Sequence, residues 1–168
     1  MKIREAIYTD INQLAMVHIA SWQNAYSGIL PANYLSALSV GAETKKWRDR
    51  ILHPELGQFH FVAENDEVGV VGFAIGSPER TEIPRNWGEL RAVYVLTEHQ
   101  KQGLGTILIQ SVIERLKKQR LKGMITWTFT DNPARDFYRK MGGVSGKTKT
   151  DTFGQIKKEL TAYEWIFS

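Results

Sequence analysis

The chain contains no cysteine. That absence excludes disulfides, zinc–thiolate centres and a cysteinyl acyl-enzyme. Histidine is scarce too. His18, His53, His60 and His99 are scattered without metal-ligand spacing, so no structural metal is expected. No stretch reaches the roughly 18 uncharged apolar residues of a membrane helix. No apolar segment follows the charged start at residues 1–5, as it would in a secretory leader. Repeats and low-complexity linkers are also missing. The 168 residues suit one domain, 1–168, of a cytoplasmic protein that makes no membrane contact.

Charge is only mildly one-sided. Twenty-two basic and 18 acidic residues leave +4, a balance that suits an anionic partner such as a phosphate-rich cofactor. The nearest thing to a basic run, Lys117-Lys118-Gln119-Arg120-Leu121-Lys122, falls at a helix end, where cations complement the macrodipole. No helix-turn-helix, aromatic ribonucleoprotein motif or zinc knuckle is present, which argues against nucleic acid.

What the chain does have is readable periodicity. Residues 3–8 predict a strand. Asp10 and Gln13 have the spacing of a capping box. Ile11, Leu14, Ala15, His18, Trp22, Ala25 and Tyr26 then recur at steps of three or four, predicting a helix to about 26. His18 on that stripe reads as a core or cleft-edge residue. Ser27-Gly28 stops the helix, Pro31 suits a new start, and short helices follow at 32–38 and 42–52. After a loop at 53–57, strands are expected at 59–64 and 68–76, then a polar loop at 77–85 and a strand at 87–95. Residues 103–121 form an amphipathic helix with Leu104, Ile107, Leu108, Val112, Ile113 and Leu116 on one side. A strand at 124–129 follows, then a short helix opened by Asn132-Pro133 and closed by Gly142-Gly143. Strands at 144–150 and 160–167, joined by a loop at 151–158, complete the chain. This order predicts an α/β fold: a mixed, mostly antiparallel sheet of six to seven strands, helices on both faces, and one β-α-β crossover from Trp87 to Phe129.

The segment Gln100-Lys101-Gln102-Gly103-Leu104-Gly105 sits between a strand and a helix start. The first turn of a helix has unpaired N–H groups and partial positive charge, which suits phosphate. Gly103 and Gly105 keep side chains away from that backbone, Leu104 and Thr106 continue it, and Gln100, Lys101 and Gln102 add donors at the rim. Two other phosphate motifs fail. A dinucleotide fingerprint would need glycine where Leu108 stands, and a Walker loop ending in Gly146-Lys147-Thr148 would need glycine at Met141.

The run Leu90-Arg91-Ala92-Val93-Tyr94-Val95 followed by this segment resembles motif A of the GNAT superfamily of acyl-CoA-dependent N-acetyltransferases. A second resemblance follows in Asn132-Pro133-Ala134-Arg135-Asp136-Phe137-Tyr138-Arg139-Lys140-Met141-Gly142. The two cover about residues 87–143. Gly143 stands where the family usually has an aromatic residue. The resemblance implies acetyl transfer from acetyl-CoA to an amine, small-molecule or peptide, through a ternary complex. It also implies that strands 87–95 and 124–129 splay apart, with the pantetheine arm pairing with the backbone of Val93, Tyr94 and Val95. A backbone N–H near Val93 or Tyr94 then polarises the thioester carbonyl. Tyr138 corresponds to a tyrosine that protonates the departing thiolate, Glu89 to a carboxylate that acts as base, and Asn132 either contacts pantetheine or only caps its helix.

Alternatives remain at this point. The fold could serve as a non-catalytic acyl-CoA-binding module. Trp22, Tyr26, Tyr34, Trp87 and Trp127 suit either an acceptor pocket or the core. Tyr163, Trp165 and Phe167 suit either a homodimer surface or the completed sheet.

Overall fold

The computed structural model describes residues 1–78 and 86–168. Most of the predicted loop 77–85 therefore lies outside the described residues. Among those residues, seven strands form one sheet in the order β1-β2-β3-β4-β5-β7-β6. They are β1 (Lys2–Glu5), β2 (Phe59–Asn65), β3 (Gly69–Pro78), β4 (Trp87–Val95), β5 (Gly123–Phe129), β6 (Val144–Phe153) and β7 (Ile156–Ile166). Only β4 and β5 run parallel. The helices are α1 (Ile11–Ala25), α2 (Ala32–Ser36), α3 (Val40–Leu52), α4 (Leu104–Lys118) and α5 (Arg135–Lys140).

Two apolar clusters sandwich the sheet. On one face, Ile11, Leu14 and Ala15 of α1 and Trp47 of α3 pack on Val62, Phe73 and Ile75. On the other, Leu104, Leu108, Ile109, Val112 and Leu116 of α4 pack on Val71, Ala74, Leu90 and Met124. The i, i+4 and i+3 spacings of α4 put those five on one stripe. β3 is covered on both sides, which explains its continuous run Val70-Val71-Gly72-Phe73-Ala74-Ile75. A third cluster joins Tyr26, Leu30 and Leu35 to Phe129 and Leu160, with Trp22, Tyr34 and Trp127 packed against it. Tyr163 and Trp165 are buried in the α4 cluster and complete the sheet.

Two local expectations are corrected. The Asp10–Gln13 capping box does not form. Asp10 accepts from the Ile7 N–H at 2.8 Å and from Arg4 at 2.7 and 2.9 Å, closing a 3-10 turn ahead of α1. Gln13 instead reaches β3, accepting from the Val70 N–H and donating to the Val68 carbonyl, both at 3.1 Å. The loop 151–158 is only a two-residue turn, Gly154-Gln155, between paired Phe153 and Ile156. Gly154 leads it at φ +62°, as a glycine-first hairpin requires. β6 is exposed along almost its whole length, so no apolar alternation marked its extent.

Two irregularities in β4 shape what lies beside it. The register passes from Gly76↔Leu90 to Ile75↔Ala92, which leaves Arg91 as the extra residue of a β-bulge. On the other side, β4 meets β5 through three pairs only: Trp87↔Gly123, Gly88↔Met124 and Glu89↔Ile125. The Thr126 hydroxyl then donates to the Leu90 carbonyl at 2.8 Å, and past it the strands share no further register pairs.

Candidate active site

The splay opens a cleft of about 150 Å³ between β4, β5, α1 and the start of α5. Val93, Tyr94, Val95, Gln100, Asn132 and Tyr138 of the expected set line it. Leu96 donates to the Val71 carbonyl at 2.9 Å, so its backbone faces β3. By the two-residue alternation of the ladder, Tyr94 also faces β3, while Val93 and Val95 turn their backbone groups to the cleft. Of the two oxyanion candidates, Val93 is thus the one whose N–H faces the gap. The Val95 carbonyl is taken by the Gln100 side-chain amide at 2.9 Å. A larger hollow of about 410 Å³ lies by α2 among Gln23, Ser27, Leu30 and Leu35, but none of its lining residues is titratable. The smaller cleft is therefore the candidate site.

Beyond Val95 the chain makes a 3-10 turn, Thr97–His99, and enters α4 through two left-handed residues, Lys101 (φ +60°) and Gly103 (φ +82°). The Ile107 N–H bonds the Gly103 carbonyl at 3.1 Å, so the N–H groups of Leu104, Gly105 and Thr106 precede the first helical bond. Left-handed residues beside free N–H groups form a concave anion-binding nest. Lys101, Gln102 and Gly103 are exposed there. Two side-chain expectations change. Gln100 bonds Val95, and the Gln102 amide approaches the Glu98 carbonyl at 3.4 Å, so both serve the loop itself. Gly105 has a packing reason as well, since a Cβ there would stand 3.2 Å from Cζ of Phe137.

Asn132 is buried with both polar ends engaged. Its Oδ1 accepts from the Ala134 N–H and its Nδ2 donates to Thr128 Oγ1, each at 3.0 Å. It therefore shapes the turn into α5, and that turn places Tyr138 in the cleft wall. Tyr138 is 8% exposed and packs on Tyr163 and Trp165. Burial holds its phenol protonated well beyond the ordinary tyrosine range, and neighbouring Tyr26 adds to that. Across the cleft the hydroxyls of Tyr26 and Tyr94 stand 2.7 Å apart. Burial raises both of these phenols too.

Glu89 does not line the cleft. It is buried in the last paired rung, opposite Ile125 and Ser77. His18 stays out of the lining as well. Its Nδ1 lies 2.8 Å from Glu43 Oε1. Trp47 Nε1 is 3.2 Å from the same Nδ1, which cannot both accept from the indole and donate to the carboxylate; the shorter, charge-assisted contact prevails. Burial pushes the Glu43 carboxyl up, but His18 and Arg50 outweigh that and hold it at about 2. Sequence reasoning missed Ser21, Arg91, Thr126 and Thr128 in the cleft, because the bulge and the splay that bring them together leave no mark in periodicity.

Comparison with known proteins decides what this cleft belongs to. The family model described as the acetyltransferase (GNAT) family matches residues 20–143. The chain belongs to the GNAT acetyltransferase family. A similar curated relative is the uncharacterized N-acetyltransferase YuaI of Bacillus subtilis, 36% identical over 137 residues, 82% of this chain and 76% of that protein. Among solved structures, the PaiA N-acetyltransferase of Thermoplasma acidophilum in complex with coenzyme A superposes with a TM-score of 0.77 at 21% identity, covering 98% of both chains. The yncA protein of Salmonella typhimurium with its cofactor acetyl-CoA gives 0.73 at 21%, over 99% of this chain and 93% of that one. This GNAT chain shares their mixed, open sheet. Among its described residues no helix is long and apolar enough to cross a membrane, and no group of three or more histidine, aspartate or glutamate side chains is placed to hold a metal.

Proposed function

We propose that this GNAT acetyltransferase moves the acetyl group of acetyl-CoA directly to a primary amine within a ternary complex. The observation that carries the reading is the unpaired stretch of β4, with its Val93 backbone turned into a cleft that reaches Gln100, the residue before the nest, and has Tyr138 in its wall. The N–H groups of Leu104, Gly105 and Thr106 hold the pyrophosphate, with Lys101 beside them. The Val93 backbone pairs with the pantetheine arm as an added strand would. Acetyl-CoA supplies an activated thioester carbonyl. The Val93 N–H donates to the carbonyl oxygen as negative charge develops on it.

The amine must be neutral to attack. Glu89, one rung below the cleft, takes the ammonium proton through water. The new bond joins nitrogen to the acetyl carbon as the carbon–sulfur bond breaks. Tyr138 gives its proton to the sulfur and recovers one from the new amide nitrogen through solvent, so that free thiol and N-acetyl product leave. Burial keeps the phenol protonated at neutral pH but does not strengthen it as an acid, so its contribution comes from its position in the cleft wall.

Calorimetric titration with acetyl-CoA, using ATP–magnesium as control, tests the reading. Micromolar or tighter binding of acetyl-CoA alone, followed by amine-dependent release of thiol, is the expected result. Failure to bind acetyl-CoA would overturn it.

A further inference from the structure

We infer that the acceptor amine carries its own carboxylate, as in an α-amino acid, and that Arg91 and Ser21 hold that carboxylate. This rests on the acetyl-transfer reading above.

Arg91 is the bulge residue of β4 and lines the cleft. It is the one charged side chain among the described residues of that lining. Glu55 grips it from outside, accepting from Nη1 at 2.8 Å and Nη2 at 3.4 Å. A guanidinium has five N–H donors in a fork that matches carboxylate, so that grip leaves donors over. Ser21 lines the same cleft from α1. It is 6% exposed, and its Oγ is buried with no hydrogen-bond partner among the described residues. A buried hydroxyl without a partner is rare in a folded protein and marks a place where a ligand atom or water completes the bond. A cation and an unsatisfied hydroxyl facing one cleft together suit an anionic oxygen pair.

The surrounding charge points the same way. No carboxylate lines the cleft among the described residues. A polyamine would bring its second ammonium beside the Arg91 guanidinium with no lining carboxylate to receive it, whereas an amino acid brings a counter-ion for that guanidinium.

The test compares matched acceptors by thiol release at fixed acetyl-CoA: free α-amino acids, their carboxamides, the decarboxylated amines and spermidine. At least tenfold higher kcat/KM for free amino acids than for their carboxamides is expected. Arg91→Met should raise KM for the amino acid at least tenfold and erase that preference, with the acetyl-CoA Kd unchanged. Ser21→Ala should raise the same KM several-fold. Melting curves show whether either variant has simply lost its fold, and the wild-type comparison needs no variant. Better turnover of carboxamides or spermidine would overturn the inference, as would acetyl-CoA binding without turnover of any α-amino acid. A protein that does not bind acetyl-CoA would instead overturn the transfer reading beneath it.

Discussion

Tyr138 owes its place to Asn132. The asparagine ties the end of β5 to the first turn of α5, and the tyrosine then meets the cleft from a helix of only six residues. Its role predicts a sharp separation of effects. Tyr138→Phe keeps the packing on Tyr163 and Trp165 but removes the proposed acid. Turnover should fall about 10²- to 10⁴-fold, the usual contribution of a general acid, while the Kd for acetyl-CoA holds. Steady-state kinetics beside calorimetry would check this, and unaltered turnover would make Tyr138 a packing residue. Tyr138 and Asn132 were legible because a contiguous signature carries them. Arg91 and Ser21 were not. Arg91 enters the cleft through a one-residue shift of register, and Ser21 counts only because its hydroxyl has no partner, which is a fact of three dimensions.

The entry to α4 shows how an element makes a site from backbone alone. Gly103 sits at φ +82° with open space where a Cβ would go, so its constraint is conformational. Gly103→Val should cost about 1–2 kcal/mol by forcing a branched residue into the left-handed region, and lower Tm by a few degrees. Because the nest is the proposed pyrophosphate site, acetyl-CoA affinity should drop at least tenfold at a temperature where the variant remains folded. Calorimetry at 10 °C below its Tm decides; unchanged affinity would remove the nest from the site. Most elements were readable because each buries one regular face, α4 above all. The β6–β7 hairpin was not, since β6 is polar and exposed and offers no face to count.

Across the whole molecule, two buried groups divide its acid behaviour. His60 lies beneath Trp47, and burial, with Arg50 and Arg91 nearby, lowers it to about 4. The unfolded chain takes up that proton near pH 6.5 and the folded one does not, so stability falls as pH drops from 6.5 to 4, by at most about 3 kcal/mol. Glu43, held at about 2, contributes stability that is present above pH 4.5 and lost as pH falls through 2. His60→Phe should flatten the upper part of a urea-midpoint profile against pH and leave the lower part alone. An unchanged slope between 6.5 and 4 would clear His60 of that role. The crossover was foreseeable from the sequence of elements, whereas the place where β4 and β5 part is set by three rungs and one threonine. Those three rungs make the sheet two blades, β1–β4 and β5–β7, joined at a short spine. In the proposed complex a thioester arm lying between the blades would stand in for the rungs that are missing, so loading the donor would also brace the two blades against each other. Donor affinity and the stiffness of the blades become one quantity seen twice, and any substitution that zips the blades together gains rigidity by erasing the place where the donor lies.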